Sequence, residues 1–526
     1  MRKYLLKRIL FSFFSLFVVV MTVMLLIYSL IDRSMIFQTD DIWNKRNLNE
    51  RTVYEHMQYQ RYGYLTYQDY TDFVRAKYTE QYGDSYSTQA QFKADIAAIQ
   101  NENTYLENAT VQEFIAKTKA EGYEVKYLQP IRFKSGKVKP GGTGFLLASR
   151  EKSVVLRLLD YLKGFFHVET TRDVKDANLT ERYVRFEKDP YSGLFAIVGS
   201  GTQHKYQLYF DGRFPFIHQN WLSINLGTSY TTYRGMEITS VISKPAGDTI
   251  KSRTQFPALL GTDQYEKTAI DFHSLTYNAN PTEADREKFP DNYTSYSFRR
   301  AGLSPLETSF VIGLFAAVIA YALGLPLGIL IARRKDTIID HLGNAYIIFI
   351  MAVPPLAYIF MFAAVGTKIF HLPYKFANAN VKVLAYFLPV ISMALPQIAT
   401  LMRWMRRYMI DQMNSDYVKF ARSEGLSEKE IYNIHISRNA LIPLVQAIPG
   451  TILGALVGGI ITERVYAVPG VGTLLTTALT ARDNGVIVAC TVFYTSIAII
   501  SQILGDLLLA KYDPRISLTS EGGGGR

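Results

Sequence analysis

The chain has 526 residues, a formal net charge of +11 and a single cysteine, Cys490. One cysteine permits no intramolecular disulfide, which excludes a disulfide-stapled secreted domain. The cations gather beside apolar runs, the pattern that orients membrane spans, and this excludes nucleic-acid binding as their explanation.

Arg2, Lys3, Lys7 and Arg8 precede an uncharged apolar run at residues 9–31. At 1.5 Å per residue the run is roughly 34 Å long, enough to cross a hydrocarbon core. No small-x-small cleavage site follows it. An uncleaved first span with a cytoplasmic N-terminus is predicted, residues 1–31.

Residues 32–305 form a polar, Tyr-rich region that this orientation places outside the cell. Helical spacing at 92–101 and 111–121 gives way to strand-like segments at 183–186, 194–199 and 206–210, with Asp211-Gly212 as a turn signal. Pro140-Gly141-Gly142 marks an internal boundary, and the region reads as a mixed α/β domain. Segments 154–166 and 233–242 are amphipathic; helices lying on the membrane surface and buried faces of the outer domain both fit. Sequons such as Asn108-Ala109-Thr110 and Asn178-Leu179-Thr180 read as chance matches. His167, His204, His218 and His273 lack metal-ligand spacing, and His371 and His435 are isolated, so no metal site is expected.

Five more spans follow at 310–332, 342–365, 383–402, 441–461 and 486–509. Arg333-Arg334-Lys335, Arg403, Arg406, Arg407, Lys511 and Arg515 fall on the inner side, whereas Lys368, Lys375 and Lys382 run against the rule. Pro326, Pro354-Pro355, Pro389, Pro396 and Pro449 interrupt these spans, which suits a packed bundle around a pathway better than isolated anchors. The fold class is therefore an α-helical membrane protein with six spans, a core at 306–516 and a large extracellular insertion between the first two. Gly450, Gly454, Gly458 and Gly459 suit close helix packing, between subunits or within the chain. Asp506 is an intramembrane carboxylate, expected to pair with a nearby cytoplasmic cation. Glu307 and Glu463 are expected at the outer membrane interface. Residues 517–526, ending Glu521-Gly522-Gly523-Gly524-Gly525-Arg526, read as an appended tail.

The inner loop 403–440 carries the most chemistry. Ser415 is placed to cap a short helix, Gly425 to end it in a left-handed conformation, and Ser427 to cap the next, with Glu430 at the capping-box position. Tyr417, Phe420, Ala421 and Glu424 share a face at i, i+3, i+4, i+7 spacing. That face suits insertion into a cleft on a partner protein; packing of the loop on its own helix ends is the alternative.

The run Asp416-Tyr417-Val418-Lys419-Phe420-Ala421-Arg422-Ser423-Glu424-Gly425-Leu426-Ser427, followed by His435-Ile436-Ser437-Arg438-Asn439-Ala440-Leu441-Ile442-Pro443, resembles the coupling loop of oligopeptide and dipeptide ABC transporter permeases. Leu325-Pro326-Leu327-Gly328, the stretch from Glu463 through Pro469, Gly470 and Gly472 to Leu474, Ala481-Arg482-Asp483 and Asp513-Pro514-Arg515-Ile516 are similar to that family in the same order. Leu222-Ser223-Ile224-Asn225-Leu226-Gly227-Thr228-Ser229 resembles the element before the second span. Lys419-Phe420-Ala421 stands where the general importer motif has Glu-Ala-Ala. The long insertion resembles the B-type subunit of streptococcal oligopeptide permeases of the Ami type.

The resemblance implies the type I ABC importer permease fold and a non-catalytic subunit of an ATP-driven oligopeptide importer in a Gram-positive cell membrane, with both termini cytoplasmic. The implied partners are a homologous second permease, two cytoplasmic ATP-binding subunits using ATP and Mg, and an extracellular lipid-anchored peptide-binding protein. It assigns Asp416, Tyr417, Phe420, Ala421, Arg422, Ser423, Glu424, Gly425 and Leu426 to ATPase coupling, and Glu463, Pro469, Gly470 and Gly472 to an outer signature. The chain has no Gly-x4-Gly-Lys-Ser/Thr phosphate loop, so no ATP site of its own is expected. Two other classes compete. A membrane-anchored sensor needs fewer spans and no projecting helix pair, and a secondary transporter would carry inverted repeats and more intramembrane proton carriers than Asp506.

Overall fold

The computed structural model describes residues 2–30, 32–38, 40–130, 137, 144–168, 183–189, 194–199, 206–210, 217–243, 268–273, 278–281, 283–288, 292, 294–300, 303–379 and 381–512. Pro140-Gly141-Gly142, Asn178-Leu179-Thr180, His204, Asp211-Gly212 and everything from Asp513 to Arg526 lie outside the described residues.

Two compact units emerge, one of residues 24–164 and one combining 1–23 with 165–526. The predicted extracellular region is thus divided at 164/165, and its second part groups with the membrane helices.

In the first unit the end of α1 (Arg2–Leu30) leads to α2 (Leu48–Arg61), β1 (Leu65–Asp69), α3 (Tyr70–Tyr82), α4 (Ala90–Ala98), α5 (Ala109–Ala120), β2 (Glu124–Leu128), β3 (Phe145–Glu151) and α6 (Val154–Phe165). Asn47, Asp69 and Asn108 have extended backbones, and their side chains accept the orphan N–H groups that open α2, α3 and α5. β3 is the central strand, antiparallel to both β1 and β2. Its buried Leu146 and Ala148 pack with Tyr70, Val74 and Phe114 of the helices. Asp95 is buried in this core, 1% exposed. Burial alone would raise its pKa, but hydrogen bonds from Asn108, Thr110, Tyr78 and Gln91 win and hold the carboxyl below its ordinary value.

In the second unit β4 (Phe166–Val168) pairs with the later strand at Leu222–Ile224. β5 (Val184–Lys188), β6 (Phe195–Gly199), β7 (Tyr206–Phe210) and β8 (Ile217–Gln219) form an antiparallel meander in chain order. With the Leu222–Ile224 strand as β9, the next helix, α7, covers only Ile238–Ser243. It is shorter than the predicted 233–242 because Gly235 adopts φ 75° and the N–H groups of Gly235 and Met236 bond within a turn, to Ser229 and Tyr233.

Ser304 and Glu307 form a capping box, with Pro305 in the first turn, and open α8 (Pro305–Arg333). Glu307 is buried there, 4% exposed. The predicted span 342–365 is two helices, α9 (Ile338–Ala352) and α10 (Pro355–Lys368), bent by 113°. Pro354-Pro355 removes two consecutive N–H donors at the break. α11 (Lys382–Met413) follows, then α12 (Asp416–Ser423). The predicted span 441–461 lies within a broken helical stretch from Glu428 to Tyr466. It comprises a short turn, a π-helical segment at Ile431–Ile436, α13 (Ser437–Val445), α14 (Ile448–Val457) and α15 (Ile460–Tyr466). α16 (Val471–Ala481) and α17 (Asn484–Tyr512) complete the described chain. Among the described residues five helices are long and apolar enough to cross a membrane, and the bent pair makes up to six.

Close packing involves both Gly459, where a Cβ would lie 2.8 Å from Met393 Sδ, and the glycines of α8. A Cβ at Gly324 would lie 2.8 Å from Leu401 Cβ and one at Gly328 2.7 Å from Met405 Cβ, so the small-x3-small pair lets α8 and α11 touch. Nothing lies within 4 Å of such a Cβ at Gly450 or Gly454, so those two do not mediate packing within the chain. Asp506 meets Arg8 at 2.8 Å and accepts from Gln446 Nε2 at 3.2 Å.

Candidate coupling helix and outer signature

α12 is eight residues long, and its entry and exit are fixed locally. Ser415 has the extended backbone of a cap, but its side chain makes no capping bond: its hydroxyl donates to Gln412 O at 2.6 Å. Ser415 is thus the N-cap residue by its backbone, while its hydroxyl is engaged by the preceding carbonyl rather than by the helix N–H groups. Gly425 does take the left-handed conformation, φ 83°, and ends the helix. Ser427 and Glu430 form the second capping box.

The helix is rotated from the predicted face. Val418 and Ala421 are buried, 0% and 4% exposed, and pack into the main apolar core with Ile431 and Ile436. Tyr417 is half-buried; its hydroxyl donates to Gln412 Oε1 at 2.6 Å and accepts from Asn439 Nδ2 at 3.1 Å. Phe420 and Glu424 are exposed, Phe420 by 63%. Tyr417 and Ala421 thus anchor the helix to its own chain, while Asp416, Lys419, Phe420, Ser423 and Glu424 form the open surface. Spacing alone missed this because it did not register Val418, which is buried together with Ala421.

Two ion pairs lie on and beside that surface. Lys419 Nζ donates to Asp416 at 2.8 Å and holds its carboxyl below the ordinary range. Arg422 donates to Glu428 at 2.9 and 3.4 Å, bridging the Gly425 turn, while Leu426 is half-buried against the core. The result is a helix–turn–helix surface with one uncovered aromatic ring and no bare charge cluster.

The segment of the outer signature folds around Glu463, which is fully buried. Its Oε1 accepts from Ser309 Oγ at 2.8 Å and Gly459 N at 3.2 Å, its Oε2 from Gly472 N at 2.9 Å and Thr473 N at 3.2 Å. Ser309 Oγ in turn accepts from Val471 N at 2.9 Å. A Cβ at Gly470 would strike this carboxylate, and one at Gly472 would lie 2.8 Å from Ile460 Cα. Pro469 is exposed in the turn between α15 and α16. The carboxylate thus ties α8, α15 and the start of α16 together.

A second buried carboxylate joins two sequence-distant motifs. Asp483 accepts from Ser229 Oγ at 2.6 Å and from the N–H groups of Tyr230, Thr231 and Thr232 at 3.0 to 3.1 Å. Successive N–H groups converging on one carboxylate form an anion nest. Ser229 closes the motif that resembles the element before the second span, whereas Ser309 and residues 230–232 were not singled out by the sequence. Among the described residues no group of three or more His, Cys, Asp or Glu is placed to hold a metal.

Residues 324–518 match the family of binding-protein-dependent transport system inner membrane components. The oligopeptide transport system permease protein AmiC of Streptococcus pneumoniae is 34% identical over 533 residues, covering 99% of this chain and all of that one. The chain belongs to the oligopeptide ABC transporter permease family. Dipeptide transport system permeases named DppB, from Lactococcus lactis and Bacillus subtilis, are each 31% identical and cover 40% and 41% of this chain, and 70% and 69% of their own lengths. The match to AmiC therefore takes in the long insertion, which the shorter alignments do not span. As a permease the chain is a non-catalytic membrane component with the type I ABC importer fold.

Proposed function

We propose that this permease carries oligopeptides across a Gram-positive cell membrane, with both termini cytoplasmic, as one of two homologous transmembrane subunits. Two cytoplasmic ATP-binding subunits, using ATP and Mg, drive it, and an extracellular lipid-anchored binding protein delivers the cargo. The supporting observation is the similarity to an oligopeptide permease along the entire chain.

In this reading the open face of α12 is the coupling element. Phe420 enters a cleft of the ATP-binding subunit, Asp416, Lys419, Ser423 and Glu424 frame it, and Arg422 and Gly425 hold the turn. Val418, Ala421 and Tyr417 transmit the displacement to α11 and α13, since they pack or bond there. Coupling is then bounded by the difference in contact energy of this face between the two nucleotide states. Glu463, Gly470 and Gly472 hold the outer end of the pathway in register, and residues 32–305 supply the surface on which the binding protein docks.

Uptake of a labelled oligopeptide by cells lacking the chain, with and without re-expression, tests the cargo, and affinity purification of the tagged chain tests the partners. ATP-dependent uptake restored by re-expression, with two ATP-binding subunits co-purifying, is expected. Uptake without an ATP-binding partner, or uptake indifferent to the chain, overturns the reading.

A further inference from the structure

We propose that α6 is an interfacial helix, with Val155, Leu156 and Leu159 inserted among lipid acyl chains at the far end of the first membrane span. The sequence left this segment open between a membrane-surface helix and a buried face.

The structure shows both kinds of apolar surface on α6. Leu158 is 2% exposed, whereas Val155, Leu156 and Leu159 are 51%, 50% and 52% exposed. Three large neighbouring side chains bare to water on one short helix would form an unfavourable patch. Leu156, Leu159 and Lys163 also share a stripe of α6, at i, i+3 and i+7. A leucine pair followed by an exposed lysine suits a helix lying flat, whose aliphatic lysine stem runs along the apolar layer while the ammonium group reaches the headgroups.

What selects lipid over another protein is the depth at which α6 is held. The membrane-crossing part of α1 runs Leu6–Ser29, so Tyr28 lies one residue from its end. The Arg157 guanidinium of α6 stacks on Tyr28, 4.6 Å from the ring centroid, and on Tyr64 at 4.5 Å, and donates to Tyr64 O at 2.9 Å. Tyrosine and arginine at the end of a span mark the headgroup level. A helix pinned there by its polar side has acyl chains as the nearest apolar medium for the opposite side. The inference needs only the membrane span, not the nature of the cargo.

The test uses the full chain in nanodiscs of phosphatidylcholine and phosphatidylglycerol, with Cys490→Ala and a spin label at Leu156→Cys or Leu159→Cys. Leu106→Cys, at a residue 50% exposed in the same unit, is the water-facing reference. Collision rates with oxygen, which partitions into lipid, and with a water-soluble nickel chelate are compared. For both α6 labels, an oxygen-to-nickel ratio several-fold above that at Leu106 is expected. A ratio equal to that at Leu106 shows a water-facing helix. Suppression of both collisions, with an immobilised label, shows a protein cover. Either result overturns the proposal. Because the labelled residues are half exposed, the substitutions leave the fold intact, checked by gel filtration.

Discussion

Arg406 grips Asp340 with two parallel hydrogen bonds of 2.7 Å, Nε to Oδ1 and Nη2 to Oδ2, joining the C-terminal part of α11 to the start of α9. Asp340 also accepts from Asn344 Nδ2 at 2.8 Å and Asp336 N at 3.1 Å, so its buried oxygens are satisfied. Removing one partner strands the other. Arg406→Ala is expected to destabilise the permease by about 3–5 kcal/mol. Arg406→Lys, which cannot make the planar fork, should lose less. Thermal unfolding in detergent reads both. The double variant Arg406→Ala/Asp340→Asn should recover part of the loss; no recovery would mean that the ion pair is not what the single variant removed.

Glu463 offers a second test, of hydrogen bonding rather than charge pairing. Glu463→Ala leaves the Gly459, Gly472 and Thr473 N–H groups and the Ser309 hydroxyl without their acceptor. Each buried donor left unmade costs about 1–3 kcal/mol. Glu463→Gln keeps one acceptor oxygen and should retain much of the stability. Equal melting temperatures for the two variants would contradict the hub role.

Val418 and Phe420 sit two residues apart with opposite exposure, so they separate stability from coupling. Val418→Ala should lower stability by about 2 kcal/mol through lost burial. Phe420→Asp should change it by less than about 0.5 kcal/mol, as exposed substitutions do, yet abolish ATP-driven peptide uptake. Wild-type uptake in Phe420→Asp would remove the coupling assignment.

The first unit carries a pH dependence. Burial pushes the His56 imidazole down from 6.5 to about 4, with Lys126 and Arg33 adding to the effect and Glu124 opposing it. Its Nδ1 lies 2.9 Å from the Tyr67 hydroxyl. A base held neutral in the folded state contributes stability above its unfolded pKa, and that stability is lost as pH falls from 6.5 towards 4. Melting curves between pH 7.5 and 4.5 should show a steeper decline for the wild type than for His56→Gln. Parallel declines would show that His56 is not the titrating group.

The sequence by itself determined the membrane class, the apolar stretches, the long polar insertion and the helix–turn–helix around Gly425, because these follow from local quantities: apolar run length, caps and a left-handed glycine. The order of short motifs likewise pointed to the permease family. What only the tertiary structure decided is which side chains meet. The Gly425 turn was legible, but the face of α12 was not, since Val418 wins the core position only when Ile431 and Ile436 are folded beside it. Glu463 and Asp483 were visible as motif residues, yet their partners Ser309 and Ser229 lie 154 and 254 residues away. A buried carboxylate must find donors wherever the fold brings them. No periodicity encodes that choice, and at Pro354-Pro355 the sequence announced a break without fixing the 113° at which the packed helices settle.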